Sequence, residues 1–380
     1  MYKRLFIPVI AITTVILFAI SCKRSPSITL SEKYAPMLTQ PHGYVAYRTS
    51  QQPVIDGLIN ESDWQAAPWT EPFCDISGEG HPTPRYLTQA KFLWDDDNLY
   101  IAAQLEEPNV WATLTKHDEI VFHDPDFEVF IDPDGDAQHY FEIEVNALET
   151  VFDLYLNRPY RSPEDVFVTF AYDTPGLRIA THVDGTLNNA ADTDRGWTVE
   201  MAIPRTAIAN QFDNYLKAGY YLRVGMSRVE WQTTVNADGT SQRKCDDKGK
   251  LLSEDNWTWG PTGKVNMHMP ERWGYVFLSP TTVGKAVETF SYPEEYEYDI
   301  DRLLWMMFYE QEEQYRKSDR YHHHIKDFHL TDQEIPAGTT LRIESTSSSY
   351  TITATDSNFM NHTINHLGKI RCYKQKIAFI

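Results

Sequence analysis

Along residues 140–146 the chain alternates: Phe141, Ile143 and Val145 are apolar, whereas Glu142, Glu144 and Asn146 are polar. On an extended strand that pattern puts the two carboxylates and the amide in a row on one face. Glu142 and Glu144 would then sit about 7 Å apart. Such a pair could act as acid and base in glycoside hydrolysis. The same row could form a polar face that accepts hydrogen bonds from a ligand or from water. Unpaired carboxylates are expensive in a core, so the row is expected to meet solvent or a groove. The chain holds 54 acidic residues among 380, so some close carboxylate pair arises by chance, and this favours the polar-face reading.

A second constellation lies just upstream. Asp132, Asp134 and Asp136 crowd three carboxylates onto one turn, and Gly135 permits its sharp bend. Clustered hard oxygen donors are what Ca²⁺ takes, although turn chemistry alone selects the same residues. The glutamate that closes an EF-hand loop is missing. Aromatic rings form a third group. Phe122, Trp257, Trp259 and Trp111 fall on expected loops, where a ring can stack on the apolar face of a sugar or can simply pack. His322-His323-His324 follows a helical stretch and reads as solvated. The sequence holds no serine nucleophile elbow, no His-Glu-x-x-His zinc motif and no phosphate-binding glycine loop.

The elements that must position these groups are short and extended. Segments 87–94 and 99–105 form a hairpin about Asp95-Asp96-Asp97-Asn98. Segments 127–131, 140–146, 151–156, 166–172, 177–182, 197–203, 221–231 and 273–278 continue the series. About ten strands at this spacing predict an all-β fold, an antiparallel two-sheet β-sandwich of jelly-roll type over 44–280. After Pro280 the pattern changes. Leu303, Leu304, Met307, Phe308 and Tyr315 recur at helical spacing among charges, which predicts an amphipathic helix over 299–317. Segments 341–354 and 369–380 then read as strands, so 285–380 is a small α+β appendage of no assigned role.

The N-terminus carries an address. Lys3 and Arg4 precede an apolar run, 5–20, that is short for a membrane span and has the layout of a signal peptide. The run ends in Ala19-Ile20-Ser21-Cys22, which resembles a bacterial lipobox. Cys22 is then the lipidated first residue of the mature chain, and 23–43 is a tether. This predicts a lipid-anchored protein of the outer membrane in the cell envelope, facing the periplasm or the cell surface. Cys74, Cys245 and Cys372 lack metal-ligand spacing, and sequence cannot choose a disulfide pair among them. A formal net charge of −20 argues against nucleic acid or anionic lipid surfaces as partners and for neutral or calcium-bridged ligands.

Several runs together resemble one family. Pro53-Val54-Ile55-Asp56-Gly57 through Glu61 to Trp64 resembles the opening of family 9 carbohydrate-binding modules, which are DOMON-like sandwiches. Phe92-Leu93-Trp94-Asp95-Asp96, then Asn98-Leu99-Tyr100-Ile101, follow in order. Asp126-Phe127-Glu128-Val129-Phe130-Ile131-Asp132-Pro133 is the most distinctive strand. Gly196-Trp197 through Pro204, Trp259-Gly260-Pro261 and Pro270-Glu271-Arg272-Trp273-Gly274 complete the set. The resemblance does not reach 285–380. It implies a jelly-roll-like sandwich that binds sugars, with bound calcium in some members. Phe122 falls where sugar binders of this family place a stacking tryptophan. A second is expected shortly before Trp273, where this sequence has Met267 and His268 instead. Carbohydrate binding by Phe122, Glu142, Glu144, Asn146, Trp257 and Trp259 is the leading expectation. A glycan-degrading enzyme or accessory component using Glu142 and Glu144, and a scaffold among partner enzymes or uptake proteins that has lost sugar binding, are the alternatives.

Overall fold

The computed structural model describes residues 28–209 and 215–374; the leader and Cys22 lie outside them. The strands in chain order are β1 (Gly43–Arg48), β2 (Cys74–Asp75), β3 (Thr88–Trp94), β4 (Asn98–Glu106), β5 (Asp126–Asp132), β6 (Tyr140–Asn146), β7 (Val151–Leu156) and β8 (Val168–Thr169). They continue with β9 (Arg178–Asp184), β10 (Gly196–Pro204), β11 (Tyr221–Glu230), β12 (Thr233–Val235), β13 (Ser241–Arg243), β14 (Asp255–Thr258) and β15 (Gly274–Thr282). Backbone pairing runs β8-β7-β6-β5-β11-β15-β1-β3-β4-β10-β9, with β14 also on β11 and β2 on β14. Strand β1 is the corner. Gly43–Ala46 pair in parallel with β15, Tyr47 pairs in parallel with β3, and Arg48 lies opposite both Thr282 of β15 and Trp94 of β3. The ladder therefore passes from one sheet to the other through β1, as in sandwiches whose corner strands switch sheets.

Alternation explains which faces meet. Leu99, Ile101, Ala103 and Leu105 of β4 point inward, as do Val199, Met201 and Ile203 of β10. Phe127, Val129 and Ile131 of β5 and Phe141, Ile143 and Val145 of β6 point back at them from the other sheet. These residues are buried in one core, the expected sandwich interior.

The outer face of the β3-β4-β10 sheet is plugged by the segment 53–67. A short helix α2 (Ser62–Ala66) brings Trp64, fully buried, onto Leu93, Tyr100 and Ala202. Its indole N–H donates to Glu200 Oε1 at 2.6 Å, and the Asp56 and Gly57 amides donate to Glu200 Oε2 at 3.1 and 2.7 Å. Gly57 has φ +83°, and a Cβ there would lie 2.6 Å from the Thr181 carbonyl carbon. The aspartate–glycine and tryptophan of the opening motif are thus parts of one structural peg.

The C-terminal appendage is a four-stranded antiparallel sheet, β16 (Thr340–Ser345), β17 (Tyr350–Thr355), β18 (Met360–Asn365) and β19 (Ile370–Lys374), packed on helix α3 (Tyr298–Ser318). Two sequence readings change here. The single strand expected over 341–354 is a hairpin, because Thr346 Oγ1 accepts the Ser349 amide at 3.0 Å and closes a turn. The expected tether is partly folded: Leu30 and Tyr34 of a short helix, residues 30–34, are buried against α3. Among the described residues no helix is long and apolar enough to cross a membrane. Cys74, Cys245 and Cys372 are all free.

Candidate functional site

The polar face of β6 does not meet bulk solvent. Glu142, Glu144 and Asn146 are only 4%, 3% and 0% exposed. Loops distant in sequence fold over this outer face and build a second apolar cluster on it, with Phe130, Tyr140, Phe152 and Leu154 below Met267 and Trp273. The Trp273 indole donates to the Met267 carbonyl at 2.8 Å, and the Phe130 and Tyr140 rings pack on it with centroids 5.5 and 5.2 Å away. Beside this cluster lies a groove of about 550 Å³, within the range of small-ligand sites. Its floor carries Glu128, Glu142 and Glu144. Phe122, Tyr160, Met267 and His268 supply apolar and aromatic surface, and Asn256 and Asn266 supply amides.

The floor is electrostatically unusual. Register sets Glu128 of β5 directly opposite Glu144 of β6, a like-charge pairing that disfavours both ionised forms. Burial pushes the Glu128 carboxyl up to about 7, and burial with the charge of Glu128 pushes Glu142 up to about 8. Burial and the neighbouring acids raise Glu144 and Asp126 well above the carboxylate range. Among the described residues no lysine or arginine lines the groove. Burial, then the Arg161 charge, holds His268 near 4, so its ring is neutral at physiological pH. The Tyr140 hydroxyl and His268 Nδ1 share a 2.9 Å hydrogen bond. Glu142 Oε2, 3.9 Å from His268 Nε2, has no hydrogen-bond partner, and neither has Asp126 Oδ2.

The predicted residues fall into three groups. Phe122, Glu142 and Glu144 line the groove together. Asn146 does not: its amide donates to the Leu114 carbonyl and to Asp124 Oδ2, both at 3.0 Å. Asp124 also accepts the Thr113 and Leu114 amides, so Asn146 fixes the loop that carries Phe122. The Trp231 indole donates to the Phe122 carbonyl at 2.9 Å, and the Phe122 amide donates to Glu144 Oε2 at 3.2 Å. Trp257 and Trp259 belong to the third group. They are 3% and 1% exposed inside the sandwich core, Trp257 on strand β14 rather than on a loop, and offer no face to a ligand. Trp111 is buried with Trp231.

Glu142 and Glu144, the pair that the sequence offers as acid and base, stand side by side on the groove floor. Glu128, Tyr160, Asn256 and Asn266 escaped sequence reading. For Glu128 a signal existed, since Asp126, Glu128 and Asp132 alternate with Phe127, Val129 and Ile131, interrupted only by Phe130.

The aspartate turn was expected to offer oxygens to calcium. Its three carboxylates do approach one another, with one oxygen of each within 4.8 Å of the others. Asp132 already accepts the Gly135 amide at 2.9 Å and the Ala137 amide at 2.8 Å. Asp136 accepts the Gln138 amide at 3.1 Å and is ion-paired with Lys369 of the appendage. Two of the three therefore already have donors, and Asp136 also ties the turn to the C-terminal sheet. His322, His323 and His324 belong to no metal-type cluster among the described residues.

A family model for carbohydrate family 9 binding domain-like proteins matches residues 55–281. No curated protein matches the sequence significantly. Among solved structures, a candidate carbohydrate-binding protein from Bacteroides uniformis aligns at 15% identity and TM-score 0.46, covering 63% of this chain and 100% of that one. A family 9 carbohydrate binding module from Caldicellulosiruptor kristjanssonii in complex with cellotriose aligns at 15% identity and TM-score 0.40, covering 66% and 100%. The same organism's module in complex with glucose aligns at 16% identity and TM-score 0.38, covering 64% and 100%. The matched span runs from the peg of α2 to the end of β15 and includes every residue of the groove floor; the chain belongs to the carbohydrate family 9 binding domain-like family.

Proposed function

We propose that this chain is a lipid-anchored envelope protein that captures a glycan in the groove on the outer face of β5 and β6. The observation that carries the reading is the groove's composition. Aromatic surface from Phe122 and Tyr160 lies beside three buried carboxyl groups and two amides, the pairing that holds a sugar ring by stacking and its hydroxyls by hydrogen bonds. Cellotriose and glucose complexes of family 9 modules make β-linked glucans the first ligands to try. The protein works in glycan capture for catabolism, alongside partner enzymes or uptake proteins that supply the cutting or transport. Cys22 anchors it, and the acidic surface leaves it free of nucleic acid.

A glycan array on the mature protein tests the groove. Retention of oligosaccharides without product release, lost in Phe122→Ala, supports capture. Release of shortened products, abolished by Glu142→Gln, would replace capture by hydrolysis. The anchor has its own test: Cys22→Ser should move the protein from the membrane fraction to the soluble one, and unchanged fractionation would remove the anchor from the account.

A further inference from the structure

We propose that Asp126, Glu128 and Glu144 hold one calcium ion beneath the groove, and that the ion bridges the protein to its glycan. The second part rests on the capture reading above; the first does not. Each of the three residues offers an oxygen, and these oxygens lie within 4.8 Å of one another. Two oxygens bound to one calcium at about 2.4 Å are at most about 4.8 Å apart, so the spacing meets the condition for sharing a single ion. All three side chains are buried, at 0%, 6% and 3% exposure.

An acidic cluster alone would prove nothing, but this one holds a fully buried carboxyl oxygen that no donor meets. Asp126 is fully buried and its Oδ2 accepts no hydrogen bond, while its Oδ1 accepts only the Val229 amide at 3.1 Å. Glu142, adjoining the cluster and 4% exposed, also has an unpartnered oxygen. Buried polar atoms are satisfied in the great majority of cases, and an orphan calls for an unseen ion or water. Among the described residues no lysine or arginine is ion-paired with Asp126, Glu128, Glu142 or Glu144. The donors are all oxygens, with no cysteine; His268 Nδ1 is engaged with Tyr140, and its Nε2, 3.9 Å from Glu142 Oε2, is not part of the cluster. Such a set selects a hard cation over zinc or copper.

The position explains the function. Glu128 and Glu144 line the groove, and Asp126, fully buried, shares their cluster without lining it. An ion bound by three carboxylates keeps several of its 6–8 coordination positions, and those directed to the groove can be filled by a pair of vicinal sugar hydroxyls. The ligand class is thus a glycan end presenting a free diol. The contrast is with Asp132 and Asp136 of the aspartate turn, whose oxygens already have amide and lysine donors.

The test uses the full chain, stripped with a chelator, and calcium alone as the first probe in calorimetry near neutral pH. One calcium per chain should bind in the wild type and persist in Asp134→Asn. Its affinity should fall by at least about tenfold in Glu128→Gln and in Glu144→Gln. Both amides remove like-charge repulsion, so melting in chelator reports whether the variants fold. Wild-type chain that takes no calcium, or folded variants that take it equally well, would overturn the site. The array-selected oligosaccharide is the second probe. Binding that appears only with calcium supports the bridge. Equal binding in chelator overturns the bridge and leaves groove capture standing, whereas no binding under either condition overturns capture and leaves the ion site to the first measurement.

Discussion

The sandwich has two outer faces, and each buries carboxyl groups in a different way. On the β4-β10 face Glu200 is fully buried and accepts three donors, from Asp56, Gly57 and Trp64. On the β5-β6 face Asp126, Glu128, Glu142 and Glu144 are buried together, face one another, and leave two oxygens without partners. The first arrangement completes a fold. The second is costly to keep without a ligand, because buried like charges and unsatisfied acceptors both disfavour the folded state. Burial of a carboxylate is therefore uninformative by itself, and the state of its hydrogen-bond partners separates a structural acid from a functional one.

The largest expected effects lie on the satisfied face. Trp64→Ala should cost about 3–5 kcal/mol of unfolding free energy. Glu200→Leu, which strands two buried N–H groups and a half-buried one, should cost about 3 kcal/mol or more. Chemical denaturation checks both. A loss under 1 kcal/mol in either, on the order of a surface substitution, would mean that the peg is not structural.

The unsatisfied face should respond to pH in the opposite sense to a salt-bridged acid. Below the ordinary carboxyl value of 4.5, Glu142 is protonated in both states and its contribution is fully present. As pH rises toward about 8 the unfolded chain ionises while the folded chain keeps the proton, so stability falls. Glu128 adds the same trend up to about 7. The loss approaches about 1.4 kcal/mol per pH unit for each group within its window. Melting in chelator across this range should show the decline, and Glu142→Gln should flatten it. A wild-type profile that rises with pH would contradict the buried, proton-holding floor.

Smaller effects belong to the rim. Asn266→Ala should weaken glycan binding by roughly 0.5–1.5 kcal/mol, the net worth of one hydrogen bond, with melting unchanged. Loss of stability without loss of affinity would make Asn266 a loop residue only.

Local pattern carried much of this molecule. The β6 alternation of Phe141, Ile143 and Val145 is the one the core uses, and the run around Leu303 and Phe308 is helix α3. Phe122, Glu142 and Glu144 were legible as polar-face and loop residues. Their burial was not, because the cover comes from Met267 and Trp273, more than a hundred positions away, and no local period encodes that packing. Trp257 misled for a related reason: strand β14 is four residues long, too short for alternation to distinguish it from a loop. The clash of Glu128 with Glu144 exists only in the register of β5 on β6, which a pattern read one strand at a time does not reveal.

Capture of a glycan by the β5-β6 groove can be measured by calorimetry with the array-selected oligosaccharide. Wild-type protein should bind, while Phe122→Ala and Glu142→Gln should each weaken binding by roughly ten- to a hundredfold, since about 1.4 kcal/mol is tenfold, with both variants melting as folded proteins. Undiminished affinity in both folded variants would contradict the account and place the ligand elsewhere on the sandwich.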